Sequence, residues 1–240
     1  MLQTLFSQED GYYAMTQTGY IVSIVILILA IALIAFMVDR KQNTQKFSAR
    51  QLAFSGIALA LGFITSYISV KIPLWGMGGS VTLFSMFFIC LIGYWYGIRV
   101  GLLAAFAYSI LQFIQGGGSY ILTPFQACCD YFFAFTALGV SGFFMNKKNG
   151  LIKGYLLAIM LRGLFHTIGG YMYWMDYMPD TFPTQLTNVY SIIYNYSYIL
   201  SEGVATMVII SLPVMKKAIA AITKQAQADV VVPKAAHVVS

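Results

Sequence analysis

The sequence predicts an all-α membrane protein of seven spans, amino terminus outside and carboxyl terminus inside. Three observations carry this. Only 9% of its 240 residues are charged, against roughly 25% in soluble domains. Apolar runs recur at about the 20-residue length that a helix needs to cross a bilayer. Runs such as IVSIVILILAIALIAFMV also lack the strict alternation of a membrane β-barrel.

The first span, about 20–38, reads as a retained anchor. Residues 1–19 carry Glu9 and Asp10 but no Lys or Arg, whereas a cleaved signal peptide starts basic and has a shorter apolar core. The polar linker DRKQNTQKFSAR separates this anchor from six further spans, about 52–70, 81–96, 98–115, 126–145, 151–174 and 187–213. The chain thus divides into a tail, anchor and linker (1–49), a six-helix membrane domain (50–215) and a basic tail (216–240). That tail opens as the amphipathic stretch MKKAIAAITKQAQA, and its late His237 has no chemistry to perform.

Charge placement sets the orientation. Twelve of the fourteen basic residues fall on one side: Arg40, Lys41, Lys46, Arg50, Arg99, Lys147, Lys148, Lys153, Lys216, Lys217, Lys224 and Lys234. The other side holds Lys71, and Arg162 lies within a span. Basic residues flank spans on the cytoplasmic side. The net charge of +6 therefore reports topology and does not call for nucleic acid. Cys90, Cys128 and Cys129 all lie inside spans without metal-ligand spacing, so no metal or cofactor is expected.

The second span carries two small-xxx-small pairs, Gly56 with Ala60 and Ala58 with Gly62. Such stripes let helices approach closely in lipid, either within the domain or against another membrane protein. The loop KIPLWGMGGSVT follows, rich in helix-ending Pro and Gly. Its Trp75 fits an interfacial anchor or a lid over a site.

Four ionisable residues fall inside spans: Asp130, Arg162, His166 and Glu202. Each is costly in hydrocarbon and should face the bundle interior with a partner. Arg162 and Glu202 both lie about 18 Å below the outer ends of their helices at 1.5 Å per residue, which predicts a structural ion pair between them. His166, Gly170 and Trp174 are spaced i, i+4, i+8 and share one stripe, with the glycine leaving a notch. Asp130, with Tyr131 beside it, lies one helical step from Gln126. Tyr120, Tyr190 and Asn195 sit at the same outer level. A carboxylate, an amide, an imidazole and aromatic rings suit a cationic or amino-bearing aromatic molecule.

The segments SYILTPFQACCDY, LRGLFHTIGGYMYW and NVYSIIYN carry a resemblance. Residues of about 50–215 resemble the thiamine-specific substrate-binding (S) component of energy-coupling-factor (ECF) transporters, the ThiT-like family. The resemblance implies a six-helix S-component bundle, to which the first span is an addition. It implies that Asp130 and Asn195 bond the aminopyrimidine of thiamine while Trp174 stacks on it. His166 and Tyr131 would then flank the thiazolium, with Gly170 on the same stripe. Tyr190 would reach the hydroxyethyl end, Tyr120 would add a further ring, and Trp75 would cover the site. It implies as partners a transmembrane coupling subunit and two ATP-binding subunits, docked through Gly56, Ala58, Ala60 and Gly62. Asp130 stands where the family usually has Glu, and the segment MDYMPDTFPTQLTN is slightly longer than usual.

The chain has no GxxxxGK[ST] phosphate loop, so it does not hydrolyse ATP by that route. Two other classes compete. A stand-alone transporter could couple protons through Asp130, His166 or Glu202, although the chain lacks a clear inverted repeat. An intramembrane enzyme would need a nucleophile or metal set, and none stands out.

Overall fold

The computed structural model describes residues 6–9, 12–19, 21–22, 25, 47–71, 79–116 and 121–230. The first span falls almost wholly outside them. Near the amino terminus, β1 (Phe6–Glu9) pairs antiparallel with β2 (Tyr12–Met15).

The first long helix, α1 (Ala49–Ser66), starts from a capping box. Ser48 Oγ accepts from the Gln51 N–H at 3.1 Å, and Gln51 Oε1 accepts from the Ser48 N–H at 3.2 Å. After Ser66 the chain leaves the helix. Strand β3 (Ser69–Lys71) pairs antiparallel with β4 (Ser80–Thr82), Val70 opposite Val81. The spans expected at 52–70 and 81–96 are therefore cut short at their facing ends, and the protein is mostly helical rather than all-α. The physical reason is local. Val70 and Val81, which face each other across the pair, are β-branched residues that favour strand over helix.

Helix α2 (Ser85–Gln115) is interrupted at Gly97, whose φ of 84° and ψ of 178° belong to a region essentially restricted to glycine. There the chain reverses. A Cβ placed on Gly101 would lie 2.7 Å from the Gly93 Cα, whereas eight residues of continuous helix span about 12 Å. The limbs 85–96 (α2a) and 98–115 (α2b) are thus antiparallel neighbours, with the tight turn where the sequence places it. Helix α1 lies against both limbs: a Cβ on Gly62 would meet Ile89 Cδ1 of α2a at 2.9 Å, and from α2b Tyr108 Oη donates to the Gly62 carbonyl at 3.2 Å while Gln115 Oε1 accepts from Ser66 Oγ at 2.8 Å.

Helix α3 (Pro124–Phe144) is irregular. It opens on the Thr123 cap, carries a π-helical stretch over Cys128–Phe133 and ends as 3-10 helix over Ala137–Phe144. Its 3-10 part meets α2b backbone to backbone, and a Cβ on Gly139 would strike the Gly101 carbonyl at 2.4 Å. Helix α4 (Gly150–Tyr177) is regular to Gly169, then π-helical over Gly170–Trp174. A 3-10 segment, Thr184–Val189, leads into α5 (Tyr190–Ser211). Helix α6 (Pro213–Ala226) follows at 87° to it.

By length and apolar character α1, α2, α3 and α4 can each cross a membrane, and α5 with α6 forms a fifth candidate. Because α2 doubles back, its limbs fill two places in the bundle. The core sits around α2a, where Met86, Ile89, Cys90 and Ile92 are buried together with Tyr108, Leu138 and Tyr155. At one end α6 tucks under α1 and α2a. Trp95 Nε1 donates to Thr223 Oγ1 at 3.0 Å, Tyr96 Oη to the Ala226 carbonyl at 3.1 Å, and Arg50 pairs with Asp229 at 3.2 Å.

Candidate binding site

At the opposite end from Arg50, the start of α3 and the end of α4 converge on Asp130. Gln126 Nε2 donates to its Oδ2 at 2.6 Å and Trp174 Nε1 donates to the same oxygen at 2.9 Å. His166 Nδ1 stands 3.5 Å from Oδ1. The two π-helical stretches, Cys128–Phe133 and Gly170–Trp174, each contain one of these groups. The wider turn of a π-helix rotates the following residues relative to an α-helix, a device concentrated at functional sites.

Behind His166, Arg162 Nε approaches its Nε2 at 3.5 Å. A neutral imidazole with its proton on Nδ1 satisfies both neighbours. The guanidinium lies 4.4 Å from the centroid of the Phe135 ring, within cation–π range. The expected Arg162–Glu202 ion pair is absent: among the described residues the Lys or Arg ion pair is Arg50–Asp229, and His166 meets Asp130 as a neutral hydrogen-bond donor. Glu202 instead accepts from the Thr82 N–H at 3.1 Å, Thr82 Oγ1 at 2.6 Å, the Met86 N–H at 3.3 Å and Ser85 Oγ at 3.5 Å. Equal depth on two helices does not fix the direction each side chain faces. Glu202 faces the start of α2a, whose unpaired N–H groups attract a carboxylate.

The stripe on α4 is only partly one surface. His166 and Trp174 both reach Asp130, but Gly170 provides no open notch. A Cβ there would lie 2.0 Å from Ser191 Oγ and 3.1 Å from Asn195 Nδ2, so the glycine seats α5 against α4. Asn195 is buried and holds that crossing. Its Nδ2 donates to the carbonyls of Ser191 at 2.9 Å and His166 at 3.2 Å, and its Oδ1 accepts from Tyr198 Oη at 2.9 Å.

An aromatic layer continues the site on α5. Tyr190 stacks on Tyr194, centroids 5.9 Å apart and planes 14° apart, and Phe182 meets Tyr190 edge-on at 4.9 Å. Phe182 belongs to the long segment between α4 and α5 and is buried, so part of that segment folds over the tyrosines. Tyr194 Oη accepts from the Gly79 N–H at 2.7 Å. This ties the end of the Trp75 loop to α5. Tyr131 turns elsewhere, meeting Phe113 edge-on at 5.3 Å. Trp75 and Tyr120 lie outside the described residues.

Two residues of this neighbourhood, Gln126 and Tyr194, escaped the sequence reading as site members. Both were detectable by spacing, since each lies four residues before or after a chosen residue, Asp130 and Tyr190, on the same helical face. In the small-residue stripe of α1 the structure separates the two pairs. Ala58 and Gly62 are buried, and a Cβ on Gly62 would meet Ile89 Cδ1 at 2.9 Å. Gly56 and Ala60 face outward, Gly56 with nothing within 4 Å of an added Cβ. The inward pair packs the domain; the outward pair is the accessible one. No group of three or more His, Cys, Asp or Glu suited to a metal occurs among the described residues.

Residues 52–222 match the model of the family described as thiamine transporter protein (Thia_YuaJ). The chain belongs to this family. It is 26% identical over 184 residues to the thiamine transporter ThiT of Bacillus subtilis, covering 71% of this chain and 92% of that one. It is 34% identical over 125 residues to ThiT of Lacticaseibacillus paracasei, covering 45% of this chain and 59% of that one. Its fold is similar to a solved structure of ThiT from Listeria monocytogenes, with a TM-score of 0.58 and 23% identity over 73% of this chain and 96% of that one. This thiamine transporter family member is a multi-pass bacterial membrane protein, and its family is one of transporters rather than enzymes.

Proposed function

We propose that this family member is the high-affinity thiamine-binding S component of an ATP-driven ECF importer in the bacterial cell membrane. The observation that carries the reading is the convergence of Gln126, His166 and Trp174 on Asp130, one layer from the Tyr190–Tyr194 stack. Asp130 would take the amino group of the aminopyrimidine, with Trp174 and the tyrosines offering π-faces to the two flat rings. His166 and Asn195 would complete the polar lining, Tyr131 and Gly170 would shape it from behind, and Tyr120 and Trp75 would close it.

The reading carries seven spans, amino terminus out and carboxyl terminus in. Support comes from Arg50 and the lysine-bearing α6 meeting at one end, opposite Asp130. The coupling subunit would dock on the outward face of α1 at Gly56 and Ala60, and two ATP-binding subunits would drive release.

Calorimetry on the purified full chain with thiamine, its hydroxymethyl-pyrimidine and its diphosphate tests the binding claim. Tight binding of thiamine is expected, and its absence overturns the proposal. The contact of Asp130 with His166 and the buried Glu202 also offer titratable groups for proton coupling, which keeps a stand-alone transporter as the second reading. Thiamine uptake into liposomes holding this chain alone, without any ATPase, would decide for that alternative.

A further inference from the structure

A groove of about 510 Å³ runs along the outer side of α4 and α5, lined by Leu156, Leu200, Val204, Met207, Val208 and Ser211. Its walls are apolar, and Leu156, Val204 and Val208 face outward. The lining on α5 advances in steps of three and four residues from Leu200 to Ser211, the last residue of that helix. The groove therefore ends where the chain bends by 87° into α6.

The elements that meet at that end carry three lysines. Lys153 lies three residues before Leu156, on the same face of α4. Lys216 and Lys217 stand exposed in the first turns of α6. Neither 146–168 nor 203–228 contains an Asp or Glu. The carboxylates that border the second stretch are both engaged, Glu202 by Thr82, Ser85 and the Met86 N–H and Asp229 by Arg50. Helix α6 also carries exposed Val214 and Ile222 beside its lysines. An amphipathic helix of this kind, turned across the preceding span, lies in the plane of the membrane interface. Its lysines then sit at the level of lipid headgroups.

We propose that this groove is a binding site for an anionic phospholipid, one acyl chain along Leu200–Val208 and the phosphate between Lys153, Lys216 and Lys217. A partner helix fits less well. Helix association in lipid relies on small residues that bring backbones together, and the walls here are Leu, Val and Met. Gly203 at the floor does not open them, because Ile159 Cδ1 would lie 2.8 Å from its Cβ. The small-residue face accessible to a helix is the Gly56–Ala60 stripe on α1, away from this groove.

Native mass spectrometry of the purified full chain titrated with dioleoyl phosphatidylglycerol or dioleoyl phosphatidylcholine tests the site. One phosphatidylglycerol should bind at least fivefold more tightly than phosphatidylcholine. The triple variant Lys153→Glu, Lys216→Glu, Lys217→Glu, altered only at exposed positions, should lose that preference while keeping its thermal midpoint. Val204→Trp should weaken both lipids alike; where it fails to accumulate, the lysine variant decides. Equal binding of the two lipids by the unaltered chain, or a preference that survives in the lysine variant, overturns the proposal. So does efficient cross-linking of a Val204→Cys variant to a protein in native membranes.

Discussion

Two carboxylates lie inside this bundle, and they are held in opposite ways. Glu202 is 3% exposed and accepts from two backbone N–H groups and two hydroxyls around the turn into α2a. The Asp130 side chain keeps 16% of its exposure and is held by three side chains: an amide, an indole and an imidazole. Backbone donors are fixed by the fold, so Glu202 acts as a clasp between α5 and the β3–β4 hairpin. Side-chain donors can swing by rotamer changes, so Asp130 can exchange them for a ligand. The difference separates a structural charge from a recognition charge within one apolar medium.

The sharpest break of that comparison is Glu202→Ala. It strands the Thr82 and Met86 N–H groups in the core, where each unmet donor costs about 1–3 kcal/mol. A loss of about 3 kcal/mol or more is expected, read as a large fall in the thermal midpoint in detergent. A midpoint within a few degrees of the parent would place Glu202 outside the scaffold. Asp130→Asn should do the reverse. It keeps an acceptor oxygen for Gln126 and Trp174 and gives up only the 3.5 Å contact with His166, so the ligand-free midpoint should fall far less than in Glu202→Ala. Loss of a hydrogen bond to a charged group, about 1.5–3 kcal/mol, should weaken thiamine binding by about 10–100-fold, measured by calorimetry. Asp130→Glu, one methylene longer, should retain binding. Unchanged affinity in Asp130→Asn would remove the recognition role.

How much of this was legible in the sequence follows the same division. The turn at Gly97, the convergence of His166 and Trp174 on Asp130, and the apolar spans all follow from spacing and composition. Their causes are local or carried by one helix. Direction around a helix axis is not local. Arg162 and Glu202 share a depth, yet one faces Phe135 and His166 and the other faces α2a. The π-helical stretches at Cys128–Phe133 and Gly170–Trp174 change that direction with no residue type to announce them. On α1, small residues occupy both the buried face (Ala58, Gly62) and the outer face (Gly56, Ala60). Spacing alone could not rank the two, and only packing against Ser85 and Ile89 does so.

A smaller effect sharpens the clasp itself. Thr82→Val removes the 2.6 Å hydroxyl donor to Glu202 but leaves the backbone N–H of residue 82 in place. A loss of about 1.5 kcal/mol is expected from one hydrogen bond to a charged acceptor, so urea or thermal titration should place this variant between the parent and Glu202→Ala. Stability equal to that of Glu202→Ala would mean that the hydroxyl, not the backbone, holds the carboxylate.

The smallest expected effect lies where the two regions meet. The chain from Gly79 to Thr82 is fastened to α5 by the Tyr194 hydroxyl, 2.7 Å from the Gly79 N–H, and by Glu202 at Thr82, with the β3–β4 pairing beside them. Tyr194→Phe keeps the ring that stacks on Tyr190 but removes the acceptor. One neutral hydrogen bond is worth about 1 kcal/mol, so the thermal midpoint should fall only slightly. Because Gly79 borders the loop that carries Trp75, the larger consequence is kinetic. With the fastening at Gly79 gone, that border should detach more often, and thiamine should dissociate about 3–10-fold faster while associating at a similar rate. Stopped-flow tryptophan fluorescence separates the two rates. An unchanged dissociation rate would assign the Tyr194 hydroxyl to packing alone, leaving Glu202 as the fastening that matters to the site.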